Sequence, residues 1–295
     1  MRIFLLLTQI SLIFFSICYS QLTRTQSIES YYLLPKDYFS TSQRPELEEF
    51  YLGEKNINNP TSDTPEKAPK AYTPGMSISI PLGYVSSWGN ISYGAGIIDR
   101  PRYNKAAIAF AGLAVGFGNP DKYFGGSISS GAGNLLKEPS AFGSVNLSVG
   151  RHWGDYWGVS LGAYDLISWS KGTQKSPNTF YAALSKITSF RSHSYYFKYI
   201  KTTLGLGNGA FLEEGKYNKL VLGTGSDSVN AFAGIAVNIL PYLNAIADWT
   251  GQELDAGFSI SPYPGYAVNL AAHDLLGIAG DGTRFSANFG ASIQF

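Results

Sequence analysis

With 295 residues and a net charge of +1, the chain has no basic excess, which removes the electrostatic case for nucleic acid as a partner. Only 15% of its residues are charged, against about 25% in an ordinary soluble domain, while 33 Gly, 20 Tyr and 18 Phe are in surplus. The single cysteine, Cys18, falls in a leader-like stretch, so the remainder offers no disulfide, no thiol nucleophile and no thiolate metal site.

Met1 and Arg2 precede an apolar run from Ile3 to Ile17, followed by Cys18, Tyr19, Ser20 and Gln21. One positive charge and a short apolar stretch predict a secretory signal peptide over residues 1–20, cleaved after Ser20. A transmembrane helix needs about twenty predominantly apolar residues, and Thr8, Gln9, Ser11 and Ser16 interrupt this shorter run. Lipid attachment at Cys18 is the competing route, which the bulky Ile17 before it disfavours. Residues 21–74 are polar and punctuated by Pro, as in NINNPTSDTPEKAPKAYTP, and lack the apolar periodicity of a core. They predict a periplasmic tail, a linker or a plug, with YYLLPKDYF (Tyr31 to Phe39) as their sticky patch.

From Gly75 the pattern changes to runs that alternate apolar with small or polar residues, separated by turn signals, which is the repeated signature of a barrel. Met76, Ile78, Ile80 and Leu82 alternate with Ser77, Ser79, Pro81 and Gly83. Ile91, Tyr93, Ala95 and Ile97 follow, then Leu113, Val115 and Phe117, then Val145, Leu147 and Val149, then Trp157, Val159, Leu161 and Ala163. Further strands are expected over Phe180 to Phe190, Tyr195 to Leu206, Val229 to Ile239, Leu243 to Thr250, Leu254 to Ser261 and Tyr266 to His273. Trp88, Trp153, Tyr156, Trp157, Tyr195, Tyr196, Tyr242, Trp249, Tyr263 and Tyr266 fall near strand ends, where an interfacial girdle would sit. The fold expected over residues 75–295 is all-β, an antiparallel transmembrane β-barrel of about twelve strands, or up to about fourteen if Met76 to Leu82 adds a pair. Otherwise that run lies in the periplasm or the lumen. A soluble β-sandwich or barrel with ordinary core aromatics is the rival.

The last twelve residues, Arg284 to Phe295 (RFSANFGASIQF), alternate throughout. Phe285, Ala287, Phe289, Ala291, Ile293 and Phe295 share one face and Arg284, Ser286, Asn288, Gly290, Ser292 and Gln294 the other. About nine to eleven tilted residues carry a strand across a bilayer. Barrels of this type have short periplasmic turns and longer outer loops. Working back from a descending last strand puts SPYPGY, the turn after Leu240 and the connections near Arg191, Gly154 and Asn119 in the periplasm. Stretches 99–105, 131–140, 167–177, 207–228 and 273–282 then fall outside.

The chain end resembles the C-terminal signature of bacterial outer-membrane β-barrels, with Asn288, Gly290, Ile293 and Phe295 in its places. That resemblance implies a closing strand, an address read by the barrel-assembly machinery, and residence among outer-membrane lipid in a Gram-negative cell envelope. VGFGNPDKYFG (Val115 to Gly125), GSVNLSVGRHWGDYWGVSLGAYDL (Gly143 to Leu166) and ADWTGQELDAGFSISP (Ala247 to Pro262) resemble a group of uncharacterised outer-membrane barrel proteins common in cyanobacteria. The group implies location and fold without supplying a reaction.

Chemistry-bearing residues are sparse. His152, His193 and His273 have no Ser or carboxylate at a recognisable triad spacing, so an outer-membrane lipid-modifying enzyme is not expected. GLGNG (Gly205 to Gly209) and GTGS (Gly223 to Ser226) are loop glycines rather than phosphate loops, and neither a metal cluster nor a cofactor is expected. Asp248 and Asp255 are expected to face the lumen across a hairpin, with Arg284 as their partner, forming either a solute constriction or an internal brace. Lumen positions rich in Gly, Ser, Ala and Asn suit a narrow channel for small neutral solutes; a non-conducting structural or surface-display barrel is the alternative.

Overall fold

The computed structural model describes residues 74–100, 106–135, 142–154, 156–170, 178–190, 196–213, 216, 219, 220, 228–278 and 282–295. The expected signal peptide, residues 21–73, His193 and the GTGS loop lie outside them.

Twelve strands follow in order: β1 (Asn90–Ile98), β2 (Ile108–Gly118), β3 (Gly125–Gly133), β4 (Phe142–Trp153), β5 (Trp157–Ser170), β6 (Thr179–Ser189), β7 (Tyr199–Gly207), β8 (Asn230–Leu240), β9 (Leu243–Trp249), β10 (Leu254–Ile260), β11 (Tyr266–His273) and β12 (Arg284–Gln294). Each pairs antiparallel with its chain neighbours, and β12 returns to β1, with Asn90 opposite Gln294 and Ile98 opposite Ser286. The sheet is therefore a closed barrel, which leaves no unpaired edge.

Alternation decides which face is which. Leu161, Leu204, Phe258 and Phe285 point outward and are exposed, whereas Ser160, Thr203, Ser259 and Ser286 on the same strands are buried inside. This is the inverse of a soluble barrel, whose apolar side chains fill the interior. β3, GGSISSGAG, carries no alternating apolar run because Ile128 is its one large apolar residue. Its place is set by pairing, Ile128 lying between Val115 of β2 and Leu147 of β4.

One opening of the barrel carries the connections 119–124, 154–156, 190–198, 241–242 and 261–265, together with the start of β1 and the end of β12; we call it the turn end. The other, the loop end, carries 99–107, 134–141, 171–178, 208–229 and 274–283, and also the short connection 250–253. Outward aromatics lie at both ends, Phe180 and Phe285 near the loop end and Trp153, Trp157 and Tyr266 near the turn end. Trp153 and Trp157 stack at 6.3 Å with Lys186 over Trp157, and Tyr266 lies 6.0 Å from Phe289, which lies 6.2 Å from Tyr93. Tyr156 departs from the girdle expected of it and packs inward against Tyr84 and its neighbours.

Residues 74–88 form no strand. The barrel wall starts at Asn90, and this preceding segment runs inside the lumen. The alternation of Met76 to Leu82 is real but serves an extended chain between two unlike walls. Met76, Ile78 and Leu82 pack with Tyr84, Ile187, Tyr199, Ala236 and Ile246, while Ile80 joins Tyr181, Ala183, Phe211 and Phe232. The intervening serines face carboxylates instead.

Candidate functional site

The lumen is two unlike halves, and residues 74–88 make the difference. The segment enters at the turn end, where Asn244 Nδ2 donates to the carbonyls of Pro74 (3.2 Å) and Gly75 (2.9 Å) and the Gly75 N–H donates to Ser259 Oγ (2.6 Å). It rises to the level of Asp248 and Asp255, near the loop end of the β9–β10 hairpin. Asp248 Oδ2 accepts from Ser77 Oγ at 2.8 Å, Ile78 N–H at 2.7 Å and Ser79 N–H at 3.0 Å. Ser79 Oγ also donates to Asp255, and the fully buried Lys201 donates through Nζ to the Met76 carbonyl.

The chain then turns back across the bore. Ser160 Oγ donates to the Leu82 carbonyl (2.6 Å), the Gly83 N–H donates to Ser185 Oγ (2.8 Å), and Tyr84 OH donates to the Tyr156 carbonyl (2.7 Å). The Val85 N–H donates to His152 Nε2 (3.2 Å), which obliges Nδ1 to carry the ring proton and face Asp121 at 2.9 Å. Trp88 N–H donates to the Gly118 carbonyl (2.7 Å), and β1 begins. Both ends of the segment thus lie at the turn end. Its contacts are buried polar groups meeting buried polar groups, each of which would be costly to leave unpaired.

The sequence-derived residues divide as follows. Asp248 and Asp255 are fully buried and face inward across the β9–β10 hairpin, in direct register. Arg284 is buried too, but it reaches the carboxylate of Glu253 in the connection 250–253 rather than either aspartate. Register explains the difference: Arg284 is the first residue of β12, opposite His273, and lies level with that connection. Among the residues of the expected assembly signal, Asn288 lies inward opposite Gly96 and Gly290 lies opposite Gly94. Ile293 and Phe295 are exposed, and the Phe295 N–H donates to the Gly89 carbonyl (3.1 Å).

Three adjacent strands bring together a line that spacing does not announce. Asp255 Oδ2 lies 2.9 Å from His273 Nδ1, and His273 Nε2 lies 2.8 Å from Ser286 Oγ. Glu253, Asp255 and His273 also place one ligand atom each within 4.8 Å of the others, a spacing that could hold a cation. Arg284 already balances Glu253, and Ser79, Ser286 and the Asp274 N–H engage the rest.

The second half, lined by β1 to β5 with contributions from β11 and β12, is an open vestibule of about 710 Å³ in the loop-end half of the barrel. The barrel wall follows a construction that recurs in four loop-end hairpins, β1–β2, β3–β4, β5–β6 and β7–β8. An inward aromatic ring lies over the glycine directly opposite it: Phe110 over Gly96, Phe142 over Gly133, Tyr181 over Gly162 and Phe232 over Gly205. A side chain on any of these glycines would collide with the ring, so each pair is matched. β5 adds a bulge: Val145 pairs with Ile167 and Leu147 with Ala163, leaving Tyr164 to Leu166 opposite Asn146 alone. Asp165 takes a left-handed φ of 58° there, donates its N–H to Asn146 Oδ1 (2.9 Å) and lines the vestibule.

No protein-family model matches the chain, and no curated protein matches it. Among solved structures it is similar to the outer membrane protein Omp33 of Acinetobacter baumannii, at 8% identity and a TM-score of 0.37, over 70% of this chain and 98% of that one. It is also similar to the NanC porin, at 10% identity and a TM-score of 0.38, over 70% of this chain and all of that one (100%). Neither solute nor activity transfers at that distance.

Proposed function

We propose that the chain is an outer-membrane β-barrel acting as a narrow channel for small neutral solutes, held shut at rest by residues 74–88. The outward Leu, Ile and Phe side chains face lipid, the turn end faces the periplasm and the vestibule faces outward. What carries this reading is the way the segment is held, through hydrogen bonds and two small apolar clusters with no strand pairing. Such a closure is separable from the wall that surrounds it. The full chain in a planar bilayer is expected to be quiet, and a variant lacking residues 74–87 to show single-channel openings. Silence from that variant, with heat-modifiable gel migration showing a folded barrel, would leave the non-conducting display barrel instead.

We read Ser286, His273 and Asp255 as a brace rather than a catalytic triad. Ser286 sits within β12 between paired β1 and β11, and Asp255 also holds the plug residue Ser79. Strand pairing of this kind spends the backbone N–H groups that an oxyanion would need. A fluorophosphonate probe is accordingly expected to leave the folded protein unlabelled. Labelling that disappears in Ser286→Ala would establish a hydrolase instead.

A further inference from the structure

The four ring-over-glycine pairs end differently. Tyr181 and Phe232 are 8% and 1% exposed, because other aromatic side chains cover them. Phe211 stacks on Phe232 at 4.5 Å and meets Tyr181 edge-on at 6.5 Å, and Tyr164 lies 4.9 Å from Tyr181. Phe110 and Phe142 point into the same lumen yet are 37% and 40% exposed. Both line the vestibule, each with one side against its glycine and the other toward the cavity. Among the described residues, two of the four platforms are covered by the protein's own rings and two are not.

The rest of the lining specifies what the two open rings suit. Asn269 and Asn288 contribute to the lining, and the Asp165 carboxylate has no hydrogen-bond partner among the described residues. Serines of β1, β3, β4 and β5 add hydroxyls, and Asp165 is the one charged residue in the described lining. A carboxylate among hydroxyls and side-chain amides calls for a ligand rich in hydroxyls, which both donate and accept. Exposed ring faces call for one with apolar C–H faces as well. A flat apolar aromatic ligand would leave the polar groups unpaired, and an anion would meet Asp165.

We infer that the vestibule binds a neutral polyhydroxylated solute of mono- or disaccharide size, stacked on Phe110 and Phe142 and hydrogen-bonded through its hydroxyls to Asp165 and the serines around it. The volume lies within the range of ordinary ligand sites, about 300–1,000 Å³. This names the solute class of the proposed channel and rests on that reading for its role in transport, but binding itself needs no bilayer.

The test is a titration by ligand-observed NMR of the full chain folded in detergent, using maltose, with choline and glucuronate as charged comparators at matched ionic strength. Maltose is expected to bind saturably and glucuronate not to bind. Replacing both rings, Phe110→Ala with Phe142→Ala, is expected to weaken maltose about tenfold, from two stacking contacts of ordinary strength. Asp165→Asn, which removes no packing, is expected to weaken it about threefold to tenfold. Absence of maltose binding, or choline binding in its place through the rings and Asp165, would overturn the inference. So would unchanged affinity in Asp165→Asn together with the folded double variant. Binding without conductance would sink only the channel, and conductance without binding only this site.

Discussion

Asp248→Ala is expected to release residues 77–79 from the lumen wall while leaving the twelve-strand ladder intact. One carboxylate oxygen accepts three hydrogen bonds from the plug, two of them from the backbone N–H groups of Ile78 and Ser79. Bonds to an ionised oxygen are the stronger kind, and removing one partner of a buried charged network costs roughly 3–5 kcal/mol. Lys201, fully buried and fixed to the Met76 carbonyl, also loses the carboxylate that helps balance it. Amide exchange at Ile78 and Ser79 should accelerate by a hundredfold or more on that scale, roughly a factor of ten for each 1.4 kcal/mol, and channel openings should appear. Asp248→Asn keeps an uncharged acceptor and should show a smaller change in the same direction. Amides as protected in Asp248→Ala as in the parent would show that the apolar clusters alone hold the segment.

Gly83→Leu reaches the same endpoint by a steric route that removes no hydrogen-bonding group. A Cβ at Gly83 would run into the Gly158 carbonyl and the Ser185 backbone nitrogen, so the plug meets β5 glycine against glycine with no room for a side chain. Backbone cannot give as the tip of a flexible side chain can. Residues 82–85 must therefore leave their seats, breaking the Ser160, Ser185 and His152 contacts together. Overpacking commonly costs about 1–3 kcal/mol, and the coupled contacts should carry this case to the upper end or beyond. The readouts are faster amide exchange at Gly83 and Val85 and single-channel openings, with heat-modifiable migration unchanged. A quiet channel with those amides protected would mean that the β5 wall adapts and that closure does not depend on this contact.

Much of the wall was legible because an outward apolar side chain at every second position leaves a trace in composition and order. β12 is the clearest case, and β11 runs from Tyr266 to His273 as its alternation predicts. β3 leaves no such trace, since Gly and Ser on both faces of GGSISSGAG give period two nothing to act on. Met76 to Leu82 shows the opposite failure: alternation reports an extended chain between unlike surroundings, whether or not a ladder forms. The inward lining was harder still. Phe180 and Tyr181 are neighbours, and alternation does not say which of them faces lipid until pairing sets Tyr181 over Gly162, as it sets Phe232 over Gly205. Asp255, His273 and Ser286 meet across three strands, so their separation in the chain encodes nothing until both registers are known. Arg284 finding Glu253 is the same lesson, because stagger at the loop end decides which carboxylate lies level with it.

The plug lies inside a closed ring, yet it is not threaded through it. Pro74 and Trp88 sit at the same opening, one beside Asn244 and the other beside Gly118, so the segment is a bight pushed in from one side. Withdrawing it requires no strand to part and no chain end to pass through the bore. Anchored at Asn90, it cannot stray far from the opening it leaves. As the proposed closure, the segment can therefore leave and re-enter by breaking and remaking hydrogen bonds and small apolar contacts, a topological reversibility that a segment crossing from one opening to the other would lack.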